Sequence, residues 1–482
     1  MATRTGSGIA VRTLKNDAHI HLIAACGTAM GSLAGLLRTQ GYRVTGSDTG
    51  VYPPMSDFLA AEGIEIQTGF DAAHLDPEPD LVIVGNAVSR GNIELEAVLA
   101  RGLPYTSLPE ALRDLFLHSH QPIVVAGTHG KTTTTALTAW LLAETKQDPS
   151  YLVAGLPRDV PRPYHLGTGR YFVVEGDEYD SAYFAKFAKF LFYRPQILVV
   201  NNIEFDHADI YRDLAEIVRA FRQVVNQVPG NGLICGCGDD PLVQSLLDAA
   251  PAPALSFGFD EGNDWRAVDV DIVSQGQSFG IIAHGQDLGR WRIGLPGAYN
   301  IHNALAALSV VAHTGIATDD LRDPLRRFTG VRRRQEELGI VDGVRLIDDF
   351  AHHPTAVGQT LQGLRAAYPE GRLWAVFEPA SASNARQTFE DRYLAAFEPA
   401  DAVLLAPVPR PERAGEDPPF SSARLAQRLC DAGKQAWSEK DADAISQRLV
   451  DRATAGDTIV FMSNGGFGSV QAKTSHALSA RR

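Results

Sequence analysis

Cysteine is nearly missing from this 482-residue chain, which holds four: Cys26, Cys235, Cys237 and Cys430. They are too few and too dispersed for a disulfide framework, and Cys235-Gly236-Cys237 has no second ligand pair to make a zinc site, so reduced thiols in a cytoplasmic protein are expected. No run reaches the ~20 apolar residues that cross a bilayer, and residues 1–15 contain no apolar segment of the signal-peptide kind. Membrane insertion and secretion are therefore not expected. Positive charge is in deficit: 44 Lys and Arg stand against 57 Asp and Glu, a net −13. So acidic a chain offers no general surface to nucleic acid or an anionic membrane, and basic groups can act only in local pockets. Tandem repeats of solenoid length and long low-complexity tracts are also missing; the most loop-like stretch is residues 407–419.

What is present reads as α/β. Apolar residues make up 45% of the chain and charged residues 21%, and the length implies about three domains, because single cores stop growing near 250–300 residues. Strand-like runs alternate with helical periodicity throughout. A first unit has strands at residues 19–23, 42–46 and 81–84, with a turn through Ala25 to Gly31 leading into a helix that carries Leu33, Leu36 and Leu37. A second has strands at 123–126, 171–174, 197–200 and 233–234 and a helix at 302–313, and a third has strands at 344–347, 373–377, 402–405 and 459–461.

The densest chemistry is Gly127-Thr128-His129-Gly130-Lys131-Thr132-Thr133, a glycine-flanked turn between an apolar strand and a helix-forming segment. Such a turn aims backbone N–H groups and the positive end of the helix at phosphate; Lys131 reaches the β/γ oxygens and Thr132 offers its hydroxyl to Mg²⁺. Where the common pattern has a glycine five residues before Gly130, this chain has Val125, so the match is to a shorter form. Ligands of an open parallel sheet gather beyond the carboxyl ends of its strands, and two acidic clusters stand there. Glu175-Gly176-Asp177-Glu178-Tyr179-Asp180 is costly through self-repulsion unless solvated or neutralised by metal. Asn202-Ile203-Glu204-Phe205-Asp206-His207-Ala208-Asp209 brings more carboxylates and a histidine to another strand end. With the cradle, these clusters supply Thr132 and Glu175 for one Mg²⁺, and Glu175 and His207 for a second. In the first unit Asp48 follows the glycine-rich turn by about twenty positions, where Rossmann-like sheets meet a ribose or sugar; a tight turn without ligand explains it almost as well.

These stretches occur in order with Val51-Tyr52-Pro53-Pro54-Met55-Ser56, Gly85-Asn86, Pro296-Gly297-Ala298-Tyr299-Asn300-Ile301-His302-Asn303, Arg333-Arg334, Asp348-Asp349-Phe350-Ala351-His352-His353-Pro354 and Ser463-Asn464-Gly465-Gly466-Phe467. Together they resemble the landmarks of the Mur ligases, ATP-dependent enzymes that build the peptide of bacterial cell-wall precursors. The resemblance implies a Rossmann-like UDP-sugar domain (1–117), a central P-loop ATPase domain with a parallel sheet (118–330) and a Rossmann-like peptide-binding domain (331–482). It implies ATP and Mg²⁺ as cofactors, held by Gly127 through Thr133, Glu175, His207, Asn300 and Asn303 (adenine), Arg334 (phosphate) and Asp349 (ribose). Lys131, Glu175, His207 and Arg334 become the catalytic set. Helix N-capping stays open for Asn300, Asn303 and Asp349. For UDP-N-acetylmuramate the resemblance implies Gly27, Thr28, Ser47, Asp48 and Asn86, and for the remaining substrate contacts His352, Ser381, Arg386 and Asn464. Gly465-Gly466 should offer backbone N–H groups to an anionic peptide, and Lys131 should sit in a solvated site whose loss costs little folding.

The implied reaction joins L-alanyl-γ-D-glutamyl-meso-diaminopimelate to the lactoyl carboxylate of UDP-N-acetylmuramate through an acyl phosphate, with ligation of free L-alanine as the alternative, in a bacterial cytoplasmic monomer or weak homo-oligomer. Three positions depart from the family pattern: Ala24 for glycine, Tyr299 for histidine and Ala380 for arginine, with Arg386 available to replace the last. No lysine lies between Glu204 and Gln227, which removes support for a carbamylated lysine there. A nucleotide-dependent oxidoreductase would account for the first unit alone, and a non-catalytic scaffold would require broken phosphate and metal residues.

Overall fold

A computed structural model describes residues 14–51, 55–208, 210–273, 276–381, 384–414 and 418–481. Tyr52, Pro53 and Pro54 of one landmark and Asp209 of the second acidic cluster lie outside them. Five parallel strands, β1 (His19–Ile23), β2 (Arg43–Asp48), β3 (Glu65–Thr68), β4 (Leu81–Val84) and β5 (Tyr105–Ser107), form a sheet in the order β3-β2-β1-β4-β5. The order reverses at β1 and β4, the switch point where such a sheet leaves a crevice. Helix α1 (Thr28–Thr39) leaves the first turn, and α2 (Ile93–Arg101) is capped by Asn92, whose side chain accepts the Leu95 N–H.

The next strands are β6 (Gln121–Ala126), β7 (Ser150–Leu152), β8 (Tyr164–His165), β9 (Tyr171–Gly176), the short hairpin β10 (Asp180–Ala182) and β11 (Ala185–Ala188), β12 (Ile197–Val200), β13 (Leu233–Cys237) and β14 (Ala254–Gly258). They stack as β14-β13-β12-β6-β9-β7-β8, parallel except at the β8 edge. Strand β6 is central and fully buried from Ile123 to Ala126, as a parallel strand covered on both faces must be. It delivers the chain into α3 (Lys131–Glu144). Beyond lie β15 (Trp265–Val273), the antiparallel pair β16 (Gly276–Ala283) and β17 (Gln286–Ile293), and α4 (Ala298–His313).

The last sheet contains β18 (Glu336–Val341), β19 (Val344–Asp349), β20 (Leu373–Phe377), β21 (Ala402–Leu405), β22 (Gln435–Ser438) and β23 (Thr458–Met462), in the order β18-β19-β23-β20-β21-β22, with only β18 antiparallel. Alternate residues feed two cores on its faces: Ile347, Ala375, Phe377, Val460 and Met462 enter one, and Leu346, Trp374, Val376, Ile459 and Phe461 the other. Helix α5 (Pro354–Ala367) covers the first of these faces.

By compactness the chain divides into two units: residues 1–203, 215–266 and 305–324 form one, and residues 204–214, 267–304 and 325–482 the other. That division crosses the expected 118–330 segment, so the three boundaries stay a proposal. Several strands run further than expected. β2 continues through Ser47 and Asp48, β9 through Glu175 and Gly176, and β19 through Asp348 and Asp349. The ladder pairs backbone, Val125 with Glu175 and Ala126 with Gly176, irrespective of side-chain polarity. No helix among the described residues is long and apolar enough to cross a membrane.

Candidate active site

The cradle is shaped by two glycines and two asparagines. Gly127 has φ +133°, and a Cβ there would meet Asn201 Cβ at 3.0 Å and the Asn202 backbone nitrogen at 3.1 Å; Gly130 has φ +82° at the start of α3. Neither conformation suits a side chain. From the end of β12, the Asn202 carbonyl accepts the Thr128 N–H at 3.0 Å and its Oδ1 accepts the His129 N–H at 2.7 Å. Asn201 Nδ2 donates to Thr134 Oγ1 at 3.1 Å. Thr133, on the first turn of α3, is as buried as Thr132, and its contact with phosphate stays a proposal. Thr132 Oγ1 donates to Glu175 Oε2 at 3.0 Å, and Glu175 Oε1 accepts the Ala154 N–H at 2.7 Å. Two hard oxygens are thus held together beside the phosphate turn. Thr132→Ala should lower turnover about 10²-fold while leaving the thermal midpoint within a few degrees, checked by steady-state kinetics and a melting curve.

Lys131 departs from expectation. Its side chain is only 12% exposed, and Nζ donates to Glu178 Oε2 at 2.8 Å and to the Gly127 carbonyl at 2.7 Å. Asp177 Oδ1 lies 4.0 Å away. Burial alone would lower the Lys131 pKa, but the charges of Glu178 and Asp177 outweigh it and raise it. The opposite holds for Asp177: burial pushes it up, Lys189 and Lys131 pull it down further, and it ends below the usual carboxylate range. Lys189 Nζ sits 3.1 Å from Asp177 Oδ2 and 3.9 Å from the centre of the Tyr179 ring. The expected solvated lysine is therefore part of a buried cluster in which two ammonium groups are interleaved with Glu175, Asp177 and Glu178. Glu175 is expected beside Lys131 from the sequence, whereas Asp177, Glu178 and Lys189 carry no such assignment, because only the turns bring them to the lysine.

At the carboxyl ends of the first sheet is a cavity of about 720 Å³ lined by Gly27, Thr28, Asp48, Asn86 and Arg90 on one side and Ala154, Tyr179 and Lys189 on the other. Asp48 shapes it by accepting the Cys26 and Gly50 N–H groups at 2.8 Å each. Ala24, in the glycine position, takes φ +63°, so this chain keeps the left-handed turn without the glycine that favours it. Ser47 is a correction: it has no exposure and its hydroxyl donates to buried Glu94, which His74 Nδ1 approaches at 2.5 Å. It supports the cavity floor rather than the ligand. Side chains alternate along β2, which sends Ser47 below when Asp48 faces the crevice.

In the second unit, α4 begins four residues earlier than expected, which rules out N-capping by Asn300 and Asn303. Asn300 Nδ2 instead donates to the Pro296 carbonyl at 2.7 Å, and Asn303 Nδ2 donates to Asn300 Oδ1 at 3.1 Å. Both are buried, whereas Tyr299 and His302 line a cavity of about 310 Å³ with Gln277, Gln359 and Gly363. Burial drives the Tyr299 phenol far up, keeping it neutral. Asp349 is also buried, its oxygens accepting the Gln335 and Ala351 N–H groups at 2.7 Å each and Thr360 Oγ1 at 3.3 Å. A ribose contact would be a further bond on a carboxylate that already organises its turn. The cap of α5 is His353, not an aspartate. Arg334 lies 4.6 Å over the Phe350 ring, and His352 Nδ1 is 3.0 Å from the Phe350 carbonyl.

His207 belongs to this unit too, in a left-handed turn (φ +53°) with its N–H donated to Asp206; pairing with Glu175 stays a proposal. Ser381 Oγ accepts the Asn384 N–H at 3.2 Å, Arg386 Nη2 donates to the Ala208 carbonyl at 2.8 Å, and Asn464 is half-buried. The expected nest at Gly465-Gly466 is corrected: the Gly465 N–H goes to Ser463 Oγ at 2.8 Å, and Arg333 Nη2 takes the Ser463 and Gly465 carbonyls at 2.7 and 2.8 Å. Arg333 is thus the clamp of this loop.

Next to it, burial raises the Asp348 carboxyl from the ordinary 3.8 to about 6, with Arg333, 3.5 Å away, opposing. The native state then binds more protons than the unfolded chain between about pH 4 and 6, so stability falls as pH rises through that window, by up to ~3 kcal/mol. Asp348→Asn should remove this fall and leave the variant more stable at pH 7; urea unfolding at pH 4.5 and 7 checks it.

Family profiles match along the chain: the Mur ligase family catalytic domain over residues 19–120, the Mur ligase middle domain over 125–311 and the Mur ligase glutamate ligase domain over 333–465. A UDP-N-acetylmuramate–L-alanyl-γ-D-glutamyl-meso-2,6-diaminoheptandioate ligase of Escherichia coli K12 is 38% identical over 96% of this chain and 98% of its own.

The chain belongs to the Mur ligase family.

A solved murein peptide ligase of Psychrobacter arcticus is 35% identical, with TM-score 0.73 over 96% of this chain and 99% of that one. A UDP-N-acetylmuramate–L-alanine ligase of Psychrobacter cryohalolentis is 33% identical over 96% of this chain and 95% of its own. This Mur ligase is an ATP-dependent enzyme with the family's three-domain α/β architecture.

Proposed function

We propose that this Mur ligase joins L-alanyl-γ-D-glutamyl-meso-diaminopimelate to the lactoyl carboxylate of UDP-N-acetylmuramate in the bacterial cytoplasm, forming an amide at the expense of ATP. The observation that carries the reading is the 720 Å³ cavity, of a size that takes a small-molecule ligand, which shares a wall with the phosphate cradle through Ala154 and Lys189. Greater identity over nearly full length to the tripeptide ligase than to the alanine ligase supports the choice of amine.

The donor set fits Mg²⁺, a hard cation that prefers oxygen: Thr132 Oγ1 and Glu175 Oε2 would hold it. When bound, it supplies charge neutralisation at the β/γ oxygens. ATP enters a cradle whose glycines leave room for phosphate, with the α3 N-terminus behind it. Lys131 exchanges Glu178 for the phosphates and carries charge toward the transferred group. A carboxylate oxygen of the acceptor attacks the γ-phosphorus as the bond to the β,γ-bridging oxygen breaks, giving an acyl phosphate and ADP; catalysis here is positioning and charge stabilisation. The peptide amine then attacks the acyl carbon and phosphate leaves. Arg334 is assigned to phosphate, Asn300 and Asn303 to the adenine and Asp349 to the ribose. Replacing UDP-N-acetylmuramate by UDP-N-acetylglucosamine, which lacks the lactoyl carboxylate, should abolish ADP formation; turnover with it would overturn the reading.

A further inference from the structure

Two cationic side chains line the large cavity among the described residues. Arg90 is 67% exposed and already paired with Glu96 across an open surface. Lys189 is different: it is 8% exposed, sits on Asp177 at 3.1 Å and lies over the Tyr179 ring, whose buried phenol also hydrogen-bonds Asp177. Asp177 offers its other oxygen to Lys131, so the single buried cation of the cavity and the lysine of the cradle are joined through one carboxylate. A long, flexible side chain is fixed and largely dehydrated at that point, at considerable entropic and solvation cost. Asp177 balances the charge of Lys189, with Lys131 further off at 4.0 Å and committed to Glu178. That pairing does not require the ammonium to line the cavity, where it is the one buried cation among the described residues.

We propose that Lys189 is a catalytic residue of this ligase: it receives the carboxylate of the nucleotide-sugar substrate and steers it onto the γ-phosphoryl group. This rests on the proposed reaction. A carboxylate approaching a triphosphate is repelled unless a cation accompanies it, and the attraction of such a cation is far stronger in a water-poor site than in bulk solvent. Lys189 exchanges Asp177 for the incoming carboxylate while Lys131 exchanges Glu178 for phosphate. The carboxylate oxygen then forms its bond to phosphorus, the β,γ-bridging bond breaks, and its electron pair leaves with ADP.

Hydroxylamine tests this without the peptide. It attacks the acyl carbon of the acyl phosphate, releases phosphate and leaves a hydroxamate that ferric ion colours. With ATP, Mg²⁺ and UDP-N-acetylmuramate the native enzyme should accumulate hydroxamate; if it does not, the proposed reaction fails before Lys189 is in question. Lys189→Met should lower hydroxamate formation 10²–10³-fold, keep the KM for ATP within threefold and raise that for UDP-N-acetylmuramate, with Lys189→Arg recovering part of the rate. Asp177→Asn with Lys189→Met removes both charges, so a merely neutralising lysine would leave this double variant active. The proposal expects it to fold and remain at least 10²-fold impaired. Native-like hydroxamate formation in either Met variant would overturn the assignment.

Discussion

Lys131→Ala is expected to lower turnover by about 10³-fold or more, in line with losing a charge that acts on a transferred phosphoryl group. It is also expected to destabilise the protein by roughly 3 kcal/mol, because Glu178, 2% exposed, and Asp177 would be left as buried carboxylates short of a partner. The two effects separate in a second variant. Lys131→Ala combined with Glu178→Gln removes the pair together and should recover most of the stability but none of the turnover. Urea unfolding and ADP release measure the two axes. Retained turnover in the single variant would remove the cradle lysine from the mechanism, and native stability would mean that the pair with Glu178 is not maintained in solution.

Arg386→Ala is expected to raise the KM for the tripeptide about 10–100-fold, the range for losing a charge-assisted bond to a carboxylate. The KM values for ATP and UDP-N-acetylmuramate should stay within twofold. Arg386 is half-buried, with Nη2 fixed on the Ala208 carbonyl, so its fork is oriented rather than floppy. Arg386→Lys should rescue poorly, since a point charge cannot reproduce planar pairing. Equal effects on both substrates would assign Arg386 to the loop at Ala208 instead of to the peptide.

The order of strands and helices was legible from apolar periodicity, and the cradle from its own residues, because both are local. Strand ends were less so. Glu175, Asp348 and Asp349 read as loop residues after apolar runs, yet each occupies a rung of a parallel ladder and is buried. Their charges are met by groups far away in sequence, Thr132 and Ala154 for Glu175, and Gln335 and Thr360 for Asp349. The same reason hid the partners of Lys131, the place of Lys189 and the clamp formed by Arg333. Ser47 was misplaced by one step of the strand alternation, which adjacency to Asp48 could not reveal. The capping alternative for Asn300 and Asn303 rested on a helix start set too late, and the true start makes them buried amides within the helix. Side-chain partners across turns are a property of topology, and a single sequence shows them only where a family pattern supplies them.

The amine substrate is the centre of this account, and one assay addresses it. The enzyme is held with ATP, Mg²⁺ and UDP-N-acetylmuramate, and phosphate release is followed after adding either L-alanyl-γ-D-glutamyl-meso-diaminopimelate or free L-alanine at equal concentration. Rapid release is expected with the tripeptide and at least about 10²-fold less with alanine, the difference expected when the peptide-carboxylate site proposed at Arg386 goes unfilled. Release that is as fast or faster with free L-alanine would contradict it.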